Sequence, residues 1–219
     1  RQLSRDALVS AAITAAITLV ICLVLGWTGF TESQFFRPST QDYGQHTELK
    51  LEPEDVTFKA TDGTALHGWL LRAKGEPLAT VIHLHGSDSN ISYTVRNSHW
   101  LVDHGFHVFA FDYRGYGQSS GTPTRAGVLE DAAAAIATVR ARTDLNTDRV
   151  MLWGQSMGGQ IAILAAAAAG HDQVHGVVAE ATYATPSHHV KDKVAQMGPL
   201  WLIQWGVWLT TADDHAALD

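Results

Sequence analysis

Hydrophobic and polar positions divide the chain into an unbroken apolar stretch and a longer alternating region. From Ala7 to Thr31 no residue is charged, and Ile13 to Leu25 is mostly aliphatic. At a rise of about 1.5 Å per residue, roughly 20 such residues in a helix cross the hydrocarbon core of a bilayer. Arg1 and Arg5 precede the stretch, and Trp27 and Phe30 sit at its far end. Basic residues on one side and aromatics at the other boundary suit a single helix with a cytoplasmic N-terminus. A cleaved signal peptide competes with this reading. No small-x-small cleavage site is evident, which favours an uncleaved anchor. A lipoprotein site at Cys22 is disfavoured by the bulky Ile21 before it.

The alternating region begins after a polar, mixed stretch, 32–53, which carries Pro38 and Pro53 and reads as a tether. Val56–Lys59 and Leu66–Leu71 read as strands joined through Asp62-Gly63, a hairpin signal. Thr80–Leu84 is a third strand. A helix over Val95–His104 follows, closed by Gly105. Val108–Phe111 is a strand, Arg125–Arg142 a helix, Val150–Trp153 a strand, Gly159–Ala169 a helix ending at Gly170, and Val177–Ala179 a strand. Strand–helix alternation with nearly continuous apolar strands predicts an α/β fold: a mostly parallel sheet with helices on both faces. In such sheets ligands bind at the carboxyl ends of the strands.

Composition narrows the function. The 219 residues are 46% hydrophobic and 17% charged, enough for a substantial core and unlike a disordered tail. A net charge of -7 argues against a nucleic-acid partner, which selects a basic face. Cys22 is the only cysteine, so neither an intramolecular disulfide nor a thiolate zinc site can form.

Three loops at strand ends carry candidate chemistry. The first, Gly154-Gln155-Ser156-Met157-Gly158-Gly159, lies between a strand and an alanine-rich helix. A sharp strand-to-helix turn lifts a serine hydroxyl out of the sheet, and flanking glycines make room for the strained backbone. This marks Ser156 as the candidate nucleophile, supported by Gly154 and Gly158. The second is His83-Leu84-His85-Gly86-Ser87. An oxyanion requires two N–H donors about 3 Å away. The backbone amides of Met157 and Ser87 are the candidates, with His85 and Gly86 shaping the loop. His83 and His85 share a strand face as a metal pair would, but no third ligand is indicated, so no metal or cofactor is expected. The third loop, Asp112-Tyr113-Arg114-Gly115-Tyr116-Gly117-Gln118-Ser119, lacks the spacing of a dinucleotide fingerprint. It reads as a structural loop with Arg114 in an internal ion pair.

In this order the three motifs resemble the α/β-hydrolase superfamily. Asp62-Gly63, Leu66-His67-Gly68-Trp69 and the N-terminal apolar stretch resemble its membrane-anchored Bem46-like, or serine aminopeptidase S33-like, group. The resemblance runs from about Phe35 to the C-terminus. It implies hydrolysis of an ester, thioester or amide through an acyl-enzyme and leaves the substrate open. It divides the chain into a cytoplasmic flank (1–6), an anchor (7–31), the tether (32–53) and a partial hydrolase domain (54–219), with 186–219 as a candidate cap. The hydrolase domain is then extracytoplasmic.

The resemblance also implies a triad in the order Ser, Asp or Glu, His, the last two each following a further strand. Neither strand is evident before Asp219. With the missing initial Met, this makes the chain read as a fragment whose acid and base lie beyond residue 219, and which is inactive alone. His171 and His175 fall at the wrong end of the sheet; Glu180, His188, His189 and His215 are weaker substitutes. Trp201, Trp205 and Trp208 share one helical face, which either caps the site against the bilayer or packs on the core. The first alternative favours lipid-like substrates. The other function class is a binding or interaction domain that keeps the fold without a working triad.

Overall fold

Six short runs of β-forming residues meet in one sheet, in the spatial order 54–59, 65–71, 106–112, 79–84, 150–155 and 176–180. The computed structural model describes residues 5–27 and 35–183. In chain order the elements are helix α1 (Arg5–Trp27), a one-turn α2 (Gln45–Glu48), β1 (Glu54–Lys59), β2 (Ala65–Leu71), β3 (Ala79–Leu84) and α3 (Ile91–Ser98). A 3₁₀ segment (His99–His104) leads to β4 (Phe106–Asp112), α4 (Arg125–Arg140), β5 (Val150–Gln155), α5 (Met157–Ala169) and β6 (Gly176–Glu180).

α1 forms part of a unit separate from the sheet. Its described apolar side chains are exposed around the whole helix, with Leu8, Ile13, Ile17 and Val20 each more than half accessible. Thr14 and Thr18 turn their hydroxyls back onto the carbonyls of Ser10 and Thr14, both at 2.9 Å, which hides polar groups within the helix. Side chains of α1 are described only as far as Ile21. Among the described residues no helix is long and apolar enough to cross a membrane.

In the second unit β1 and β2 form the expected hairpin, with Thr64 N–H bonded to Asp62 Oδ1 at 3.0 Å. β2 also pairs antiparallel with β4, while β4, β3, β5 and β6 run parallel. Every residue of β3 is buried, the pattern of a strand covered on both faces. Helix α3 starts at Ile91, four residues before the sequence pattern places it. Two acceptors extend it: Asn90 Oδ1 takes Ser92 N–H at 3.0 Å, and Asp112 Oδ1 takes Ile91 N–H at 2.9 Å. The second half of the expected helix tightens into the 3₁₀ segment, closed by Gly105 in the left-handed region. α4 stops at Arg140; Arg142 lies beyond it and reaches Glu54 and Asp144 with its guanidinium.

The stretch read as a tether carries structure of its own. Phe36 is buried, and the chain from there to Tyr43 is bonded to the loop after β3. We call this segment the strap.

The loop after β4 is held by buried charge. Arg114 bonds Asp131 of α4 through side chain and backbone N–H at 2.8–3.1 Å, and also reaches Asp62 at 2.8 Å. Burial raises the pKa of Asp131 against the lowering effect of these bonds. On the other side of the loop, His67 bonds Asp55 through Nε2 at 2.7 Å, while its Nδ1 lies 3.9 Å from Asp112 Oδ2. Burial alone would lower the His67 pKa, but the interactions with Asp112 and Asp55 outweigh it and the net shift is upward.

Two expectations follow. Asp131→Ala removes the buried partner of Arg114, leaves only the more exposed Asp62 and Glu130 as counter-charges, and should lower the unfolding free energy by about 3 kcal/mol in urea titrations. For His67 the raised value makes the stabilisation complete below about pH 6.5 and lost as pH rises through the folded-state pKa. The stability gap between wild type and His67→Gln should therefore narrow from acidic to alkaline pH; a gap that widens would contradict this placement of the proton.

Candidate active site

The carboxyl ends of β3 and β5 lie side by side, with Leu84 opposite Gly154 in parallel register. Gly154 ends this register, and two residues later the chain reverses into α5. Ser156 makes the turn at φ 54, ψ −119 and is the residue immediately before the helix. Positive φ is uncommon for a non-glycine residue and costs on the order of 1–3 kcal/mol. The turn is held by its surroundings. Ser156 N–H donates to the Glu180 carbonyl at 2.9 Å, and the Ser156 carbonyl accepts from Gly159 N–H at 3.0 Å and from Thr182 Oγ1 at 2.7 Å.

Two glycines make the turn sterically feasible. A Cβ at Gly154 would collide with the Gly158 carbonyl, and one at Gly158 would collide with the Leu84 and His85 carbonyls. α5 thus starts in backbone contact with both strands. A methyl group at Gly86 would lie 3.6 Å from Ser156 Cβ, so the loop after β3 runs directly beside the serine.

The structure therefore brings together Ser156, Met157, Gly154, Gly158, His85 and Gly86. Ser156 is partly exposed, and Met157 is buried. Among the described residues no acceptor meets the backbone N–H of Met157 or of Ser87. His85 is fully buried, and its Nδ1 bonds the Gly86 carbonyl at 2.7 Å. Burial lowers its pKa, despite the raising influence of Asp112 and Gly86. A neutral ring with a proton on Nδ1 is consistent with this bond. The Gly86 carbonyl shares a peptide plane with the Ser87 amide. By holding the carbonyl, His85 aims the Ser87 N–H in the opposite direction.

His83 is also buried, with a pKa lowered by burial to about 4. It stacks on Trp153 at 5.1 Å, and its Nδ1 meets Ser98 Oγ at 3.1 Å. Among the described residues no group of three or more His, Cys, Asp or Glu is gathered as a metal ion would require. Glu180 is exposed, and its carboxylate takes Gln155 Nε2 at 2.9 Å. His171 and His175 pack ring to ring at 5.9 Å beside the start of β5, where the His175 N–H bonds the Val150 carbonyl. That is the end of the sheet opposite Ser156. His188, His189, His215 and the three tryptophans at 201, 205 and 208 lie outside the described residues.

Sequence reasoning missed two contributors. Tyr116 Oη donates to the Ser87 carbonyl at 2.9 Å, and Arg37 N–H donates to the same oxygen at 3.0 Å. A backbone bond from a polar stretch leaves no signal in composition or spacing. Tyr116 was visible only as part of a glycine-rich loop.

Comparison with known proteins bears on the family and the fold. A family model described as serine aminopeptidase, S33, matches residues 75–212. Protein YfhR of Escherichia coli O157:H7 is 38% identical over 155 residues, 69% of this chain and 54% of that protein. The chain spans about half the length of the curated relatives it matches first. An esterase of Pyrococcus furiosus superposes with a TM-score of 0.61 at 23% identity, covering 80% of this chain and 69% of that one. An alpha-beta hydrolase of Vibrio vulnificus superposes at 0.69 with 22% identity, covering 87% and 69%. At these identities the two structures speak for the fold alone. Strand order, the turn after β5 and a family match over more than half of the sequence lead to one assignment: the chain belongs to the serine aminopeptidase S33 family of α/β hydrolases.

Proposed function

We propose that this chain carries the nucleophile and oxyanion half of a serine hydrolase that cleaves an ester, thioester or amide through an acyl-enzyme. The observation that carries the reading is the Ser156 backbone at φ 54, kept in the left-handed region at the mouth of a helix. A structural serine has no need of such a conformation, whereas a nucleophile that must stand clear of the sheet does. Ser156 Oγ attacks the acyl carbon, and its proton passes to a base. The charge that develops on the acyl oxygen is met by the Met157 and Ser87 N–H groups, both without acceptors among the described residues. The helix dipole of α5 favours the same charge. Water then attacks the acyl-enzyme and restores the serine.

The triad acid and base are assigned to the part of the protein outside the described residues. Neither His85 nor His83 suits the role of base, since both rings are buried, His85 with Nε2 3.8 Å from Asp112 Oδ1 and His83 stacked on Trp153.

The uncharged run from Ala7 to Thr31 and the all-round exposure of apolar side chains on α1 support a single-pass anchor. The arginines at 1 and 5 favour a cytoplasmic N-terminus and an extracytoplasmic hydrolase domain. A site tethered at a bilayer favours lipid-like esters over soluble peptides.

In the full-length protein a fluorophosphonate probe should label Ser156, and Ser156→Ala should abolish both labelling and hydrolysis of short-chain esters. Absence of labelling in wild type would favour the alternative reading as a binding protein that retains the fold. The anchor is checked separately: membranes from expressing cells should retain the protein through alkaline carbonate washing, and a version starting at residue 35 should be released.

A further inference from the structure

Resting on the proposed role of the Ser87 amide, the geometry points to Tyr116 and the strap Phe36–Tyr43 as positioning elements of the oxyanion site. The argument starts from the two peptide planes that flank the Ser87 Cα. The Gly86–Ser87 plane is held through its carbonyl by His85 Nδ1 at 2.7 Å. The Ser87–Asp88 plane is held through its carbonyl by two donors, Tyr116 Oη at 2.9 Å and Arg37 N–H at 3.0 Å. Both planes are gripped from the oxygen side, which leaves the Ser87 N–H without an acceptor among the described residues. A loop amide in solvent would rotate among orientations. This one is fixed before any substrate arrives, and preorganised donors of this kind need no reorganisation as charge develops.

The two grips are themselves supported. Tyr116 is fully buried, 5.0 Å ring to ring from His85, and burial raises its pKa, so it remains a hydroxyl donor. The turn that presents it is tied to the strap through Gly117 N–H and the Ser39 carbonyl at 2.9 Å. Asn90 then binds the strap to the start of α3. Its Nδ2 donates to the carbonyls of Ser39 and Gln41, both at 2.8 Å, while its Oδ1 caps the helix at Ser92 N–H. Tyr43 N–H and Ser92 Oγ close the far end at 2.9 Å. The strap thus spans the β3 and β4 loops, and its Arg37 amide is delivered to Ser87 as a consequence.

None of these groups touches the reacting atoms, so their role is positioning. Tyr116→Phe keeps the ring and removes only the hydroxyl donor. Asn90→Asp keeps the helix-cap acceptor and turns the donors that hold the strap into an acceptor facing two carbonyls. In the full-length protein each should lower kcat on a short-chain ester about tenfold with KM little changed. Each should weaken a trifluoromethyl ketone inhibitor in parallel, because that inhibitor places an oxyanion in the same site. Their combined effect should be smaller than the product of the two, since both act through one carbonyl.

Hydrogen exchange gives a readout independent of catalysis: amides of residues 85–90 should exchange faster in both variants, with β5 and α4 unchanged. Wild-type kcat and inhibitor affinity in both variants would overturn the proposal. So would faster exchange across the whole domain, which would mark the groups as merely structural. A wild type that neither labels nor hydrolyses defeats the serine-hydrolase reading instead, and exchange of the 85–90 loop then decides the positioning claim by itself.

Discussion

The near-contact of α5 with the ends of β3 and β5 constrains everything at this site. Gly158 packs its backbone on the Leu84 and His85 carbonyls, and Gly154 packs on Gly158. Because the helix starts so close to the sheet, the residue between them has no room for an ordinary strand-to-helix passage. Ser156 takes the positive φ that closes the gap. The same closeness sets the Gly86 loop beside it. One steric fact therefore fixes three things together: the turn at the serine, the start of the helix, and the approach of the Gly86 loop to the serine.

A second layer keeps that arrangement from relaxing. Asp112 is almost fully buried at the end of β4, takes the first amide of α3, and sits 3.8 Å from His85 Nε2 and 3.9 Å from His67 Nδ1. Two residues on, Arg114 enters its buried pair with Asp131. A buried charge is a poor source of net stability but is costly to leave unpaired. The loop that starts from these two anchors is therefore held firmly at its base. Tyr116 lies in that loop, which is why its hydroxyl can serve as a fixed donor rather than as a floppy surface group.

Sequence reasoning reached the sheet, its mostly parallel character and the loops at its strand ends, because strand runs and glycine turns are local signals. The turn at Ser156 was legible for the same reason: its glycines, its strand and its helix are contiguous. Boundaries were less legible where the deciding group is distant in sequence. Helix α3 begins at Ile91 because Asp112, 21 residues away, takes its first amide. The strap was illegible as structure, since its partners Ser87, Asn90 and Gly117 lie some fifty to eighty residues on and bond mostly to its backbone. Pattern reading sees polar side chains there and infers a solvated linker. It has no access to carbonyls and amides, which every sequence contains.

His85 shows how residue type alone misleads at such a site. A histidine beside a candidate nucleophile invites the role of general base, yet a base must carry a free lone pair toward the serine and change charge during turnover. Here Nδ1 is committed to the Gly86 carbonyl, the lone pair is left on Nε2, which lies 3.8 Å from Asp112 Oδ1, the ring is closed in by Tyr113 and Tyr116 at 4.5 and 5.0 Å, and burial disfavours the cation. Those features that disqualify it as a base suit it as a clamp, since a packed ring whose burial favours the neutral form keeps its hold on the Gly86 carbonyl. On the proposed reading the separation of duties is physical: groups that aim oxyanion donors must stay fixed, and the group that moves the proton must be free to do so.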